Sequence, residues 1–387
     1  MKQEIISFLS SFEDEIKNLC TFLYENPEES YKEEKASTYI SKLLNTQDFV
    51  ITDNYLNIPY SFYAYKGSGH PKICYLCEYD GVKDLGHITG HNALSSISVS
   101  AALALGKVIN KIGGSVILIG CPGEYLGGTK NIMTKQGAFD DIDIVMECHP
   151  DTITYESGDS SAIIPLSIEF NGISGLSHIN KNSFSPLDSL LLTIDIIKAL
   201  SKSFPSDVTL NYIISKGGYS PLLIPEEAQA KFYIRANNSK TAEYIEKKLR
   251  SIATYISSLT GIGYTTSIYE TPNEEMLTNH TLNRLFVNNL KENGIINIMG
   301  PKHLYAGLSI GVVSKKVPCI HPYISIINNP EIKYGSKEFK EATISKFALE
   351  QIRKSALALA LTGIDLILKE ELLIEIRNEF YNIDNKK

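Results

Sequence analysis

The chain has 387 residues, 43% hydrophobic and 21% charged, with 37 Lys and Arg against 44 Asp and Glu for a formal charge of -7. At roughly 100–200 residues per domain, this length accommodates two domains with ordinary cores. A mildly acidic charge without a basic stripe argues against a nucleic-acid partner, and no apolar run is unbroken for long enough to span a bilayer.

Ile5, Ile6, Phe8, Leu9, Phe12, Ile16, Leu19, Phe22 and Leu23 recur at helical spacing. The chain is therefore expected to open with one amphipathic helix, stopped by Asn26-Pro27. This opening carries acids and lacks a small-residue cleavage site, so it does not read as a secretory signal. A second helix is expected near residues 31–44. The runs KICYLCEYD, GSVILIGC and DIDIVMEC then read as buried strands, and residues 92–109 and the stretch after Gly128 as helices. Such alternation predicts an α/β layer with a largely parallel sheet. Cys20, Cys74, Cys77, Cys121, Cys148 and Cys319 are scattered, mostly in apolar runs, and read as reduced thiols of a cytoplasmic protein. Cys74 and Cys77 form a C-x-x-C, but within a strand their side chains point to opposite faces.

From about Ser161 the elements follow the order β-α-β-β-α-β, the split βαβ arrangement of a ferredoxin-like sandwich. Helices at 341–367 and 370–380 are expected to close the chain. The predicted fold class is α/β in two domains. A discontinuous catalytic-type α/β domain, 1–163 and 273–387, carries an inserted ferredoxin-like α+β sandwich at 164–272.

Three strings carry the chemistry: EYDGVKDLGHITGHN, CPGEYLGGTK and ECHPDT. In order and spacing they resemble the amidohydrolase branch of the aminoacylase/carboxypeptidase zinc peptidases (peptidase family M-twenty). NPEESYKEE, ISKGGYSPLLIP, FYIRA, VPCIHPY and LTGIDLILKEELL extend the likeness over most of the chain. The resemblance implies two metal ions sharing a water that attacks an amide carbonyl. The implied ligands are a Cys and a His from one loop, the second Glu of a Glu-Glu pair, a His from a His-Pro turn and a last His near the C-terminus.

Carried over position by position, that set is broken. Thr89 stands at the cysteine, Tyr125 at the ligand glutamate and, in NNPEIKYGSKEF, Gly335 at the last histidine; Lys333 and Lys337 flank it. His91 and His149 are kept, as is Glu124 at the general-base position. The metal content expected is none, or one zinc or manganese ion at His91 and His149, completed by Glu124, His87 or Asp80. The alternative for both histidines is a hydrogen-bonded role in a polar cleft.

The catalytic candidates are then Glu124, Tyr125 and His178, the last at the position of the lid-domain histidine. Thr89, His91, His149 and Arg235 are candidates for binding substrate, with Arg235 suited to a substrate carboxylate. A strand-end salt bridge is the plainer role for Arg235, and an exposed loop side chain for His178. His321 reads as structural. The expected activity is hydrolysis of an amide bond in a small acyl-amino acid or dipeptide-like substrate, by a homodimer paired through the inserted domain. A metal-free acyl transfer, cyclisation or lysis, or a non-catalytic binding role, are the alternatives.

Overall fold

The computed structural model describes residues 1–179 and 184–384, so residues 180–183, in the string following His178, lie outside it. In chain order the elements are α1 (Lys2–Ser11), α2 (Glu13–Glu25), α3 (Glu34–Asn45), β1 (Val50–Asp53), β2 (Phe62–Ser68), β3 (Lys72–Glu78), α4 (His91–Ile112), β4 (Gly114–Cys121), α5 (Lys130–Lys135), β5 (Ile144–Met146) and β6 (His149–Asp151). They continue with β7 (Ala162–Asn171), β8 (Gly175–Leu176), α6 (Pro186–Ser201), β9 (Thr209–Lys216), β10 (Leu223–Ile224), β11 (Glu227–Ala236), α7 (Ser239–Thr260) and β12 (Gly263–Ile268). The chain closes with α8 (His280–Glu292), α9 (Ile310–Ser314), β13 (Cys319–Ile320), β14 (Tyr323–Ser325), α10 (Lys337–Ala342), α11 (Lys346–Leu368) and α12 (Glu370–Asp384).

Two compact units result. The first comprises Met1–Asp159, Met276–His303 and Val312–Lys387; the second comprises Ser160–Glu275 and Leu304–Gly311. The octapeptide Leu304–Gly311, expected with the first domain, belongs to the second. There Ser161 donates its N–H to the Leu304 carbonyl, and Gly307 is so close to Asn273 that an added Cβ would lie 2.8 Å away.

The first unit is built on a six-stranded sheet of order β1-β2-β4-β3-β5-β13. β4, β3, β5 and β13 run parallel, as expected of a largely parallel sheet, and β2 and β1 extend one edge through antiparallel pairings. The parallel strands are apolar throughout, as strands covered on both faces must be. Helix α4 is buried over nearly its whole length. It is the one helix among the described residues long and apolar enough to cross a membrane, and it lies 94% buried in the core of this unit. The expected single opening helix is two, α1 and α2. Phe12 leaves helical geometry at φ −105°, ψ 11°, which lets Ile5 and Leu9 on one side and Ile16, Leu19 and Leu23 on the other all reach the core. The penultimate helix starts at Lys346 instead of 341, because the side chain of Ser345 accepts the Ala348 N–H as an N-cap.

The second unit is the split βαβ sandwich. Its four-stranded antiparallel sheet has the order β12-β7-β11-β9, with α6 and α7 packed through Leu190, Ile194, Leu249 and Ala253 on Ile168, Phe170, Phe232 and Ile234. A capping box between Ser185 and Asp188, with Pro186 in the first turn, sets the start of α6. β9 is an edge strand on which Tyr212, Ile213 and Ile214 are all exposed.

Candidate functional site

Within the first unit, each of the four neighbouring parallel strands is followed at its C-terminal end by an ionisable side chain. β3 ends on Glu78, β5 is followed by Glu147 and β13 by His321, and β4 leads through Pro122-Gly123 to Glu124. Ligand chemistry in α/β sheets collects at this edge. The charges are organised by Lys130, the first residue of α5. Its ammonium group, with no solvent exposure, pairs with Glu78, with Glu124 at 3.1 Å and with Glu147 at 3.5 Å. Burial alone would raise the Glu78 carboxyl, but Lys130, His91 and His149 outweigh it and hold the group far below the usual range. Burial and then the Glu78 charge push Glu147 well up, in the direction opposite to Glu78. Lys130 stays an ammonium because its acidic neighbours overcome the cost of burying it.

His91 opens α4 directly after Gly90, whose φ of +85° and approach to Pro150 (2.6 Å from an added Cβ) leave no room for a side chain. The Nδ1 of His91 lies 2.8 Å from Asp80 Oδ1, and that of His149 lies 2.8 Å from the Pro150 carbonyl. Both contacts put a proton on Nδ1 and turn Nε2 to the cluster. Burial would lower the His91 imidazole, but Asp80, Glu78 and Glu124 outweigh it and raise the group, so an ion at its Nε2 has to displace a proton. His91 Nε2 is 3.3 Å from Glu78 Oε2, and one ligand atom each from Glu78, His91 and His149 lies within 4.8 Å of the others. Two imidazoles and a carboxylate, oriented by further hydrogen bonds, suit one divalent ion of the zinc or manganese kind. Thr89 and Tyr125 offer no anionic ligand, Gly335 has no side chain, and the Lys130 ammonium already supplies positive charge beside Glu78.

Two of the substituted positions meet: the Thr89 hydroxyl is hydrogen-bonded to the Tyr125 phenol. Tyr125 stacks on His91 with ring centroids 4.6 Å apart. Burial pushes the Tyr125 phenol well above its usual range. At the position aligned with the last histidine, Gly335, at φ +77°, has nothing near it, and Lys333 and Lys337 are exposed. The side chain that comes to the site from this loop is its half-exposed neighbour Tyr334, 6.3 Å from His149 between ring centroids.

The turn bearing Glu124 is braced from the N-terminal region. Glu33 Oε1 accepts the Gly123 N–H at 2.7 Å, and the Tyr31 ring fills the space that a Cβ on Gly123 would need. Glu33 is fully buried, and burial raises its carboxyl to about 7; the Gly123 N–H partly opposes this and Asp80 adds to it. A carboxyl raised on folding contributes stability that is complete below about pH 4.5 and is lost as pH rises through about 7. Stability is thus expected to fall by up to roughly 3 kcal/mol over that window, at about 1.4 kcal/mol per pKa unit. Glu33→Gln, which keeps the acceptor for Gly123, should flatten the fall. Urea titrations from pH 4.5 to 8 check this, and a wild-type-like pH slope in the variant would refute it.

The remaining predicted residues are placed as follows. Asp80 orients His91 and accepts Ser30 Oγ at 2.7 Å and the Tyr125 N–H at 3.0 Å, so it supports the site without joining the ligand set. His87 is buried with Nε2 3.0 Å from the Leu23 carbonyl, and burial drives it down to about 3; it is structural. His321, expected to be structural, belongs to the cluster, 5.6 Å from His149 between ring centroids and 3.7 Å from Glu147. All six cysteines are buried and free. His178 and Arg235 lie in the second unit. His178 is exposed, whereas Arg235 hydrogen-bonds Asn211 and lies over the Tyr233 ring at 5.1 Å. Glu78, Glu147 and Lys130 escaped the sequence reading. The available signal was an acid closing each of two apolar strand runs, KICYLCE and DIVME.

Comparison with known proteins supports the fold. Residues 85–257 match the family model of the peptidase dimerisation domain of the M-twenty peptidases. A Mus musculus Xaa-Arg dipeptidase is 26% identical over 94% of this chain and 88% of its own length. One subunit of the Escherichia coli p-aminobenzoyl-glutamate hydrolase is 29% identical over 60% of this chain and 53% of its own length. Among solved structures, a dinuclear metal-binding peptidase of the M-twenty family from Bacillus subtilis superposes with a TM-score of 0.66 at 15% identity, covering 92% of this chain and 99% of that one.

Proposed function

We propose that this chain, which resembles the M-twenty peptidases in sequence and in fold, is an amidohydrolase that cleaves small acyl-amino acids or dipeptides with one divalent ion instead of two. The observation that carries the reading is the convergence of Glu78, His91 and His149, their tautomers preset, beside Glu124. These three residues would hold the ion, and the chemistry it supplies is polarisation of the carbonyl and acidification of water. Glu124 takes a proton from the attacking water and returns it to the leaving amine. Lys130 holds Glu124 and Glu78 in place. Substrate classes follow the relatives: a dipeptide with a C-terminal basic residue, or an acyl-glutamate. The carboxylate-binding role of Arg235, the part of His178 and pairing into a homodimer through the β9 edge rest on the family resemblance, and exposed apolar residues on β9 support the last.

One preparation tests the reading. Protein without a His-tag, soaked in zinc or manganese and dialysed, should retain close to one ion per chain, run as a dimer in light scattering and release amine from at least one member of a panel of dipeptides and acyl-glutamates. Two retained ions would remove the one-metal site, and no amine release from any member would remove the hydrolase.

A further inference from the structure

We propose that Thr89, Tyr125 and Tyr334 form a neutral donor site for the oxygen that becomes negative when the substrate carbonyl turns tetrahedral. This rests on the amidohydrolase reading. The resemblance puts metal ligands at Thr89, Tyr125 and Gly335; the Thr89 and Tyr125 hydroxyls now bond each other, and Tyr334, beside Gly335, stands next to His149. The result is a local exchange of charged electrophile for hydroxyl donors.

Hydrogen counting shows that the cluster has capacity to spare. Three hydroxyls carry three hydrogens, and the Thr89–Tyr125 bond consumes one. Two hydrogens are left to donate, and either phenol can turn its own towards an arriving anion. A phenol or an alcohol is neutral at physiological pH, so the cluster carries no charge for the ligand to displace. The rings are fixed in advance. Tyr125 stacks on His91 at an interplanar angle of 18°, and Tyr334 packs with its centroid 5.1 Å from Phe339 and 6.3 Å from His149. Donors that do not have to reorganise are the ones that stabilise a developing oxyanion. In the step itself the water oxygen bonds to the carbonyl carbon, and its proton passes to Glu124. The carbonyl π pair moves onto the oxygen facing the hydroxyls. Collapse of the adduct breaks the C–N bond, and Glu124 returns the proton to nitrogen.

The test compares two isosteres of Ala-Ala by calorimetry: a tetrahedral phosphinic one and a planar ketomethylene one. Wild type should bind the phosphinate about a hundredfold more tightly than the ketone, as a site fitted to the tetrahedral oxygen must. Tyr125→Phe and Tyr334→Phe keep the rings, so the packing is retained. Each should weaken the phosphinate roughly tenfold or more while leaving the ketone nearly unchanged. Thr89→Val should do the same, and Thr89→Ser should bind like wild type. Equal losses for both isosteres, unchanged phosphinate binding in the variants, or a wild type that shows no phosphinate preference would overturn the proposal. Failure of the hydrolase reading looks different: the phosphinate preference and its hydroxyl dependence persist, but no amide in the panel is cleaved.

Discussion

Glu124→Gln should lower kcat about 10²–10⁴-fold with KM and metal content nearly unchanged, the cost expected for losing a positioned general base. Glutamine keeps the shape of the side chain and can still accept from Lys130, so the turn Gly123–Glu124 should persist. The variant loses the capacity to take up a proton and one of the charges on Lys130, which keeps Glu78 as its counter-ion. A circular dichroism spectrum like that of wild type, one retained ion and a collapsed kcat together make the case. Activity within about tenfold of wild type would mean that another group is the base, and would leave Glu124 as a counter-ion of Lys130.

Lys130→Met is the second large effect, and it concerns stability. Methionine fills the space of the lysine stem but leaves Glu78 and Glu124 buried without their shared ammonium. Breaking a buried ion pair by removing one partner costs about 3–5 kcal/mol, since the surviving charge keeps its desolvation penalty. A fall of that size is expected in urea unfolding of metal-free protein. Adding Glu78→Gln should recover part of it, because the two changes share one network. A loss below about 1 kcal/mol would show that water or protonation relieves the carboxylates without help from Lys130.

Much of the architecture was legible because it is periodic. Apolar strand runs alternating with helical ones gave the α/β layer, and the element order from Ser161 gave the sandwich. Two features were lost for local reasons. The break at Phe12 leaves the apolar spacing uninterrupted on both sides, so a pattern reader sees one helix. The antiparallel edge of the main sheet depends on pairing, which spacing does not encode. In the site, His91, Glu124 and His149 stood in motif strings and were found. Glu78, Glu147, Lys130 and Tyr334 stood in the same strings and were passed over, because the ligand pattern carried over names none of them and their contacts join separate strings. Glu78 and Lys130 are 52 positions apart in sequence yet share a hydrogen bond, a neighbourhood created by parallel strands ending side by side. The replacement for the last histidine was sought at one aligned position, whereas Tyr334 reaches the site from the position before it.

The pairing of β6 with β14 sets an order of assembly for the growing chain. His149 sits on a two-stranded ribbon whose other strand begins at Tyr323, and its N–H bonds to the Pro322 carbonyl. Glu78 and His91 are made early, but the strand carrying the third ligand has no partner until almost the whole sandwich and α8 have left the ribosome. The inserted domain can fold as soon as it emerges, since its strands and helices are nearly contiguous in sequence. The metal-binding half must wait with an open sheet edge at β5, where β13 will dock. Non-local closure of this kind is slow and leaves apolar strand surface uncovered in the interval. Chains terminated before Tyr323 would therefore contain every predicted metal ligand and still lack the ribbon that holds His149 in position.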